Sequence, residues 1–318
     1  MSETVEEIPV GETPLAEAWR HFRRNQLAVA GGVVLLLLFA LAIGGKAFTE
    51  WFVLFDPEVV RLPEKLLPPL SSASREVIPA DDLPTGGLYV LGTDELGRDI
   101  FARMLQGSFV SLSIGFVAVG ISVSIGVILG GLAGFYGNRR LGILSVDTLV
   151  MRFTDIMLAF PTFFLILTVV ALLPPSIYNI MIVIGATSWM GTARFVRAEF
   201  LSLREQDFVV AAKALGLPET RIIFRHMVPN AIAPVLVSAT LGVASAILTE
   251  SALSFLGFGV RPPFATWGNI LADGRAYIFD APWLFFVPGI SILVVVLAFN
   301  LVGEGLREAL NPKLRRLR

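Results

Sequence analysis

Few side chains in this sequence combine the type and spacing that catalysis requires. There is no cysteine, which excludes disulfides, thiolate metal sites and a cysteine nucleophile. The two histidines, His21 and His226, lie far apart and build no HExxH pattern. No GxxxxGK(S/T) loop occurs, so the chain has no recognisable nucleotide cradle of its own. Two carboxylates stand out by position instead. Asp155 and Glu250 sit at or within apolar runs, where an ionised group is costly and marks a pathway or a pairing. Arg152 is close enough in sequence to pair with Asp155, and a structural pair is the simpler reading there than a proton relay. Glu250 reads equally as pathway lining or as helix-end pairing. His226 is either a pH-sensitive contact or, more simply, a helix-surface donor to a carbonyl or a partner. With no nucleophile–base pair and no metal set, an enzyme is the least supported class.

The elements that must position these groups are apolar. Of the 318 residues, 55% are apolar and only 16% charged, where a soluble domain has about a quarter charged. A helix needs about 20 apolar residues, at ~1.5 Å each, to cross a ~30 Å hydrocarbon core. Six stretches qualify, which predicts an all-α, polytopic membrane protein with six transmembrane helices. The first is Leu27 to Gly45 and the second lies within Gly107 to Gly137. The third, Ile156 to Leu173, contains Pro161 and should kink there before Pro174–Pro175 ends it. The fourth runs from Ile177 to Ala193, the fifth starts near Ala231, and the sixth covers Ala281 to Gly303. Gly126, Gly130, Gly131 and Gly134 give the second span a small-residue face suited to close helix packing.

Lys and Arg near the span ends set the orientation. Arg20, Arg23 and Arg24 precede the first span, and Arg139, Arg140 and Arg152 separate the second from the third. Basic residues crowd the connection from the fourth to the fifth and follow the sixth. All four segments fall on one side, so both termini are expected in the cytoplasm. The acidic N-terminal stretch lacks the basic lead of a signal peptide, so the first span should be retained. The domain reading is residues 1–25 as a cytoplasmic segment, 26–48 as the first helix, 49–107 as an external loop, 108–310 as a five-helix core and 311–318 as a basic tail. The external loop is proline-rich and should be irregular until LGTDELGRDIFARMLQG, whose apolar spacing predicts a short amphipathic helix. Trp267, Trp283 and Tyr277 fit an interfacial aromatic belt. The net charge of −1 gives no sign of a nucleic-acid partner.

The connection from Arg194 to Pro229 carries the most information. Phe208, Val209, Ala212, Leu215 and Leu217, then Ile222, Ile223 and Phe224, make two short apolar-faced helices. Gly216 between them suits a left-handed helix terminus, and Pro218 suits the next first turn. Such an element either docks on another protein or packs beneath its own bundle.

This stretch, DFVVAAKALGLPETRIIFRHMVPN, resembles the coupling motif of ABC-importer permeases, EAA-x3-G-x9-I-x-LP. Ala211 and Ala212 match the alanines, Gly216 the glycine and Pro229 the proline. Val210 replaces the glutamate, His226 the isoleucine and Val228 the leucine. The segments Leu91 to Gly107, Glu250 to Leu271 and Pro282 to Pro312 are similar to the dipeptide, oligopeptide and nickel permease family, in its second-subunit branch. The resemblance implies a type I importer fold in the plasma (inner) membrane. It also implies a heterodimer with a sister permease, two cytoplasmic ATPases and an external substrate-binding protein. It places ATPase coupling in 194–229 through Ala211, Ala212, Gly216, His226 and Pro229. No cofactor is expected in this chain; ATP and magnesium belong to the ATPases. Peptides are the expected substrate, with nickel or another small solute as the alternative. An ion-driven secondary transporter would call for several ionisable groups at mid-membrane, and the spans offer almost none.

Overall fold

The computed structural model describes residues 14–51, 56–74 and 87–310. The tail at 311–318 and most of the N-terminal acidic stretch lie outside the described residues. An amphipathic helix, α1 (Pro14–Arg24), meets α2 (Gln26–Lys46) at Asn25. The Asn25 side chain caps the Ala28 amide and donates to Glu308 at 3.0 Å, tying the start of α2 to the far end of the chain.

The next long helix, α3 (Ile100–Phe135), has 36 residues, more than a bilayer crossing requires. The amphipathic helix expected before the second span is therefore its first turns and not a separate element. The Asp99 carboxylate starts α3 by accepting from the Phe101 amide at 2.8 Å. Burial pushes the Asp99 carboxyl up to about 6, and the amides of Phe101 and Ala102 offset part of that shift.

The third and fourth apolar runs are broken more deeply than expected. α4 (Val146–Ala159) and α5 (Thr162–Leu172) meet at 82°. Phe160 is extended ahead of Pro161, because the proline ring excludes a helical residue before it. The expected kink is therefore a corner. α6 (Ile177–Ala186) ends at Thr187, and α7 (Met190–Arg204) resumes after three residues. Thr187 and Ser188 donate to the carbonyls of Val183 and Ile184 at 2.7 Å, so their hydroxyls take up acceptors at the end of α6.

Beyond α8 (Asp207–Ala214), the chain runs through a single turn, α9 (Glu219–Arg221), and a wide π-type turn at Ile222–Met227 into α10 (Val228–Phe255). The second short helix expected before the fifth span is thus continuous with it. α11 (Trp267–Gly274) and α12 (Trp283–Leu310) complete the chain. Among the described residues four helices are long and apolar enough to cross a bilayer singly, and α6 is a shorter apolar helix. The bent α4–α5 pair is long and apolar enough for a fifth if it counts as one span. Six crossings are compatible with this arrangement.

α3 is the central post, packed against α2, α6, α7 and α10. Its glycine face meets α7. A β-carbon at Gly126 would lie 2.6 Å from the Thr192 β-carbon, and one at Gly130 would collide with the Ala193 carbonyl. Close backbone approach explains these glycines, as in other small-residue helix interfaces.

Among the described residues between α2 and α3, regular structure is limited to two short helical turns and one pair of two-residue strands, β1 (Ser71–Ser72) with β2 (Leu88–Tyr89). The segment is nonetheless held by a buried ionic network. Asp94 accepts from the amides of Leu96 and Arg98 at 2.9 Å, from Arg98 Nε at 2.7 Å and from Arg103 Nη1 at 3.1 Å. Arg103 also reaches Asp273 on α11 at 3.4 Å. Gly97 closes this turn with φ +72°, and any side chain there would collide with the Arg61 carbonyl. Trp267 is not the interfacial residue expected. It is buried, with its indole N–H donating to the Met104 carbonyl at 3.3 Å, because α11 is folded onto α3.

Candidate coupling and pathway sites

The α7–α10 connection is a rigid element with one face committed inward. Val209 and Ala212 on α8 and Ile222 and Met227 beyond the turn pack on Phe135, Val196 and Phe200. The two alanines singled out in the sequence therefore divide. Ala212 is buried in the chain's own core, whereas Ala211 is exposed beside Val210. Leu215 is 81% exposed and Phe224 is 72% exposed, so apolar side chains continue along the outward face. Exposed apolar residues are ordinary one at a time; here Val210, Leu215 and Phe224 belong to a connection whose other side is buried.

Gly216 sets the angle of this element. The Gly216 amide donates to the Lys213 carbonyl at 2.9 Å and the Leu217 amide to the Ala212 carbonyl at 3.2 Å. That pair of bonds is the Schellman closure, which requires the left-handed backbone seen at Gly216, φ +70°. Pro218 precedes the first residue of α9 and is its cap, one position earlier than expected. Pro229 stands where the π-type turn passes into α10 and has no amide hydrogen to donate to the turn before it. His226 lies in the π-type turn, and its carbonyl accepts from the Asn230 side chain at 2.6 Å.

Ion pairs clamp the element to its neighbours. Arg139, beside the small hairpin of β3 (Arg140–Leu141) and β4 (Leu144–Ser145), donates to Glu219 at 2.7 Å. Asp147 on α4 receives both arms of the Arg197 guanidinium, one at 2.6 Å, and its carboxylate holds Arg197 above the usual range. Asp155 pairs with Arg194 on α7 at 2.6 Å, not with Arg152 as sequence proximity suggested. The reason is that α4 lies alongside α7, which brings a better-placed guanidinium across the gap.

Glu250 is fully buried between α10 and α11. Its Oε1 accepts from Ser254 at 2.7 Å and from Thr266 at 2.9 Å, and Thr266 in turn caps α11 in a capping box with Asn269. The geometry is that of pairing at a helix end. The other oxygen, Oε2, has no hydrogen-bond partner among the described residues.

A cavity of about 160 Å³ lies between α3, α6, α7 and α10. Its polar groups are hydroxyls from Ser122, Ser188, Thr192, Ser238, Ser245 and Thr249, with no charged side chain in the lining. Sequence reasoning assigned none of these residues to a site. The signal was present: Ser238, Ser245 and Thr249 recur on one face of an otherwise apolar helix, as Ser188 and Thr192 do across the α6–α7 break. Without the packing, such hydroxyls are indistinguishable from the others scattered along the spans.

Comparison with known proteins agrees over nearly the whole chain. Residues 126–316 match the family model described as "Binding-protein-dependent transport system inner membrane component". Residues 13–69 match "N-terminal TM domain of oligopeptide transport permease C". The dipeptide transport system permease protein DppC of Alkalihalophilus pseudofirmus is 40% identical, over 95% of this chain and 91% of its own. The oligopeptide transport system permease protein OppC of Bacillus subtilis is 37% identical, over 94% of this chain and 90% of its own. Among solved structures, a chain of the MetNI methionine ABC transporter, in inward-facing form, superposes with a TM-score of 0.51 at 17% identity. It covers 66% of this chain and 97% of its own, and that likeness speaks for the fold alone.

Proposed function

We propose, from the premise that this chain belongs to the family of binding-protein-dependent transport system inner membrane components, that it is one of two permeases enclosing a pathway for di- and oligopeptides. As a permease subunit of an ABC importer it is not an enzyme. In this reading a binding protein delivers the peptide, and ATP with magnesium is consumed in two partner ATPases. Peptides are assigned because the similar proteins are named as dipeptide and oligopeptide permeases. The observation that carries coupling through 194–229 is the outward face of Val210, Ala211 and Leu215 on a base held by Schellman bonds, a buried core and ion pairs. A rigid element transmits the displacement of a partner, where a floppy loop would absorb it.

The test is reconstitution in liposomes. Peptide uptake is expected only when this chain is combined with the sister permease, the ATPases and the binding protein. Ion-driven uptake by the chain alone would overturn the reading. Both termini and the β3–β4 hairpin are placed in the cytoplasm. Since the chain has no cysteine, Ile143→Cys and Phe279→Cys, each at an almost fully exposed position, report sidedness cleanly. An impermeant thiol reagent on intact cells should label Phe279→Cys and spare Ile143→Cys; the reverse would invert the topology.

A further inference from the structure

We propose that the hydroxyl-lined cavity between α3, α6, α7 and α10 is this chain's share of the pathway wall, and that it receives the main-chain amides of a peptide in transit. The inference rests on the peptide-importer reading above and adds to it the site and the recognised groups.

Two hydroxyls in the cavity are uncommitted. Ser122 is only 6% exposed, lines the cavity, and makes no side-chain hydrogen bond to another described residue. The residue is buried but its hydroxyl is not a sealed atom: it opens onto the cavity, where a ligand or water can bond it. Ser245 on the facing helix presents a second free hydroxyl at the exposed rim. Thr192 and Ser238 meet each other at 3.3 Å, a long and readily exchanged contact. Ser188 and Thr249 donate to their own helices at 2.7 and 2.8 Å, which leaves their oxygens able to accept.

A hydroxyl both donates and accepts, and a peptide main chain offers one N–H and one C=O at each residue. Hydroxyls on facing helices can therefore exchange with main-chain groups whatever the side chains are. Among the described residues the lining has no carboxylate or imidazole, the usual side-chain ligands of a divalent cation, and no fixed charge that would trap one terminus. Gly191 and Gly242 keep the wall low. At about 160 Å³ the space is below the ~300–1,000 Å³ of an ordinary small-ligand pocket, so this chain alone does not enclose a peptide. Ser188, Gly191 and Ser245 are exposed, so the cavity opens outward, and a second wall must complete it.

The test uses the complete complex, with the sister permease, ATPases and binding protein. Single Ser188→Cys and Ser245→Cys chains are compared before and after a bulky, membrane-permeant maleimide. Labelling should bring peptide uptake to near background while the sister permease and ATPases remain attached. Phe279→Cys, exposed in the connection ahead of α12, should be labelled without loss. The double change Ser122→Ala with Ser245→Ala should slow uptake several-fold, alike for peptides with acidic, basic and apolar side chains. Normal uptake after full labelling at Ser245→Cys would overturn the proposal. So would loss of the sister permease on labelling, which would make the cavity a subunit seam, or slowing confined to one side-chain class. The parent complex is assayed beside them. Absence of ATP-dependent peptide uptake there would overturn the importer reading itself, whereas parent uptake with unimpaired labelled variants strikes only the cavity.

Discussion

Leu215→Glu should strip the ATPase subunits from the assembled complex while leaving this chain inserted and folded. Leu215 is largely exposed and outside the core cluster that holds α8 in place, so its replacement removes little internal packing. On a docked face the same glutamate would be a buried charge without a partner, a change that costs several kcal/mol. Gly216→Leu attacks the same surface through the backbone. An added β-carbon there meets nothing within 4 Å, so the penalty is conformational. A left-handed residue with a side chain costs roughly 1–2 kcal/mol, and the Schellman turn that aims α8 would loosen. Gly216→Asn, which tolerates that conformation better, should retain more coupling than Gly216→Leu. Ala212→Glu is a poor test of docking, because Ala212 lies inside the chain's own core and the variant would misfold first. The measurements are co-purification of the ATPases and peptide uptake in liposomes. Normal retention and uptake with both Leu215→Glu and Gly216→Leu would remove the α7–α10 connection from the coupling mechanism.

The largest effect on stability is expected from Asp94→Ala. One carboxylate there serves two guanidiniums, Arg98 and Arg103, and Arg103 is almost wholly buried. The pairs themselves are worth little net, since taking the charges out of water offsets their attraction. Removing Asp94 is different: it leaves the buried Arg103 guanidinium only its longer 3.4 Å contact with the part-exposed Asp273, and breaking a buried pair in this way costs up to about 3–5 kcal/mol. The amides of Leu96 and Arg98 lose their acceptor as well. Asp94→Asn keeps an acceptor but not the charge, and should fall between. Thermal unfolding of the purified complex and protease cleavage within residues 56–99 would report the change. A melting temperature equal to that of the parent for Asp94→Ala would show that the network does not hold this segment.

Asp155 illustrates how sequence and structure divide the information. An acidic residue at the end of an apolar run requires a partner nearby, and that requirement is visible in the sequence. Which arginine answers depends on α4 lying beside α7, and so Arg194 pairs in place of Arg152. Glu250 behaves in the same way. Its cost in an apolar helix is a local property, while its partner Thr266 arrives only when α11 folds back onto α10. Trp267 was misplaced for the same reason, since an aromatic near a span end looks interfacial until another helix covers it.

What the sequence determined by itself was set by length, apolarity and local backbone chemistry. Uncharged runs of bilayer length dictate helices, because no other structure satisfies the main chain of a single segment within lipid. Gly216 dictates a left-handed turn, and Pro161 dictates a break, because both act through the residue itself and its immediate neighbours. Tertiary structure decided how deep that break is, that α8 turns Ala212 inward and Ala211 outward, and that hydroxyls from three helices and the α6–α7 break line one cavity. These outcomes depend on which helix faces meet. Facing is fixed by close packing between residues distant in the chain, such as Gly130 against Ala193, and no window of sequence contains both partners.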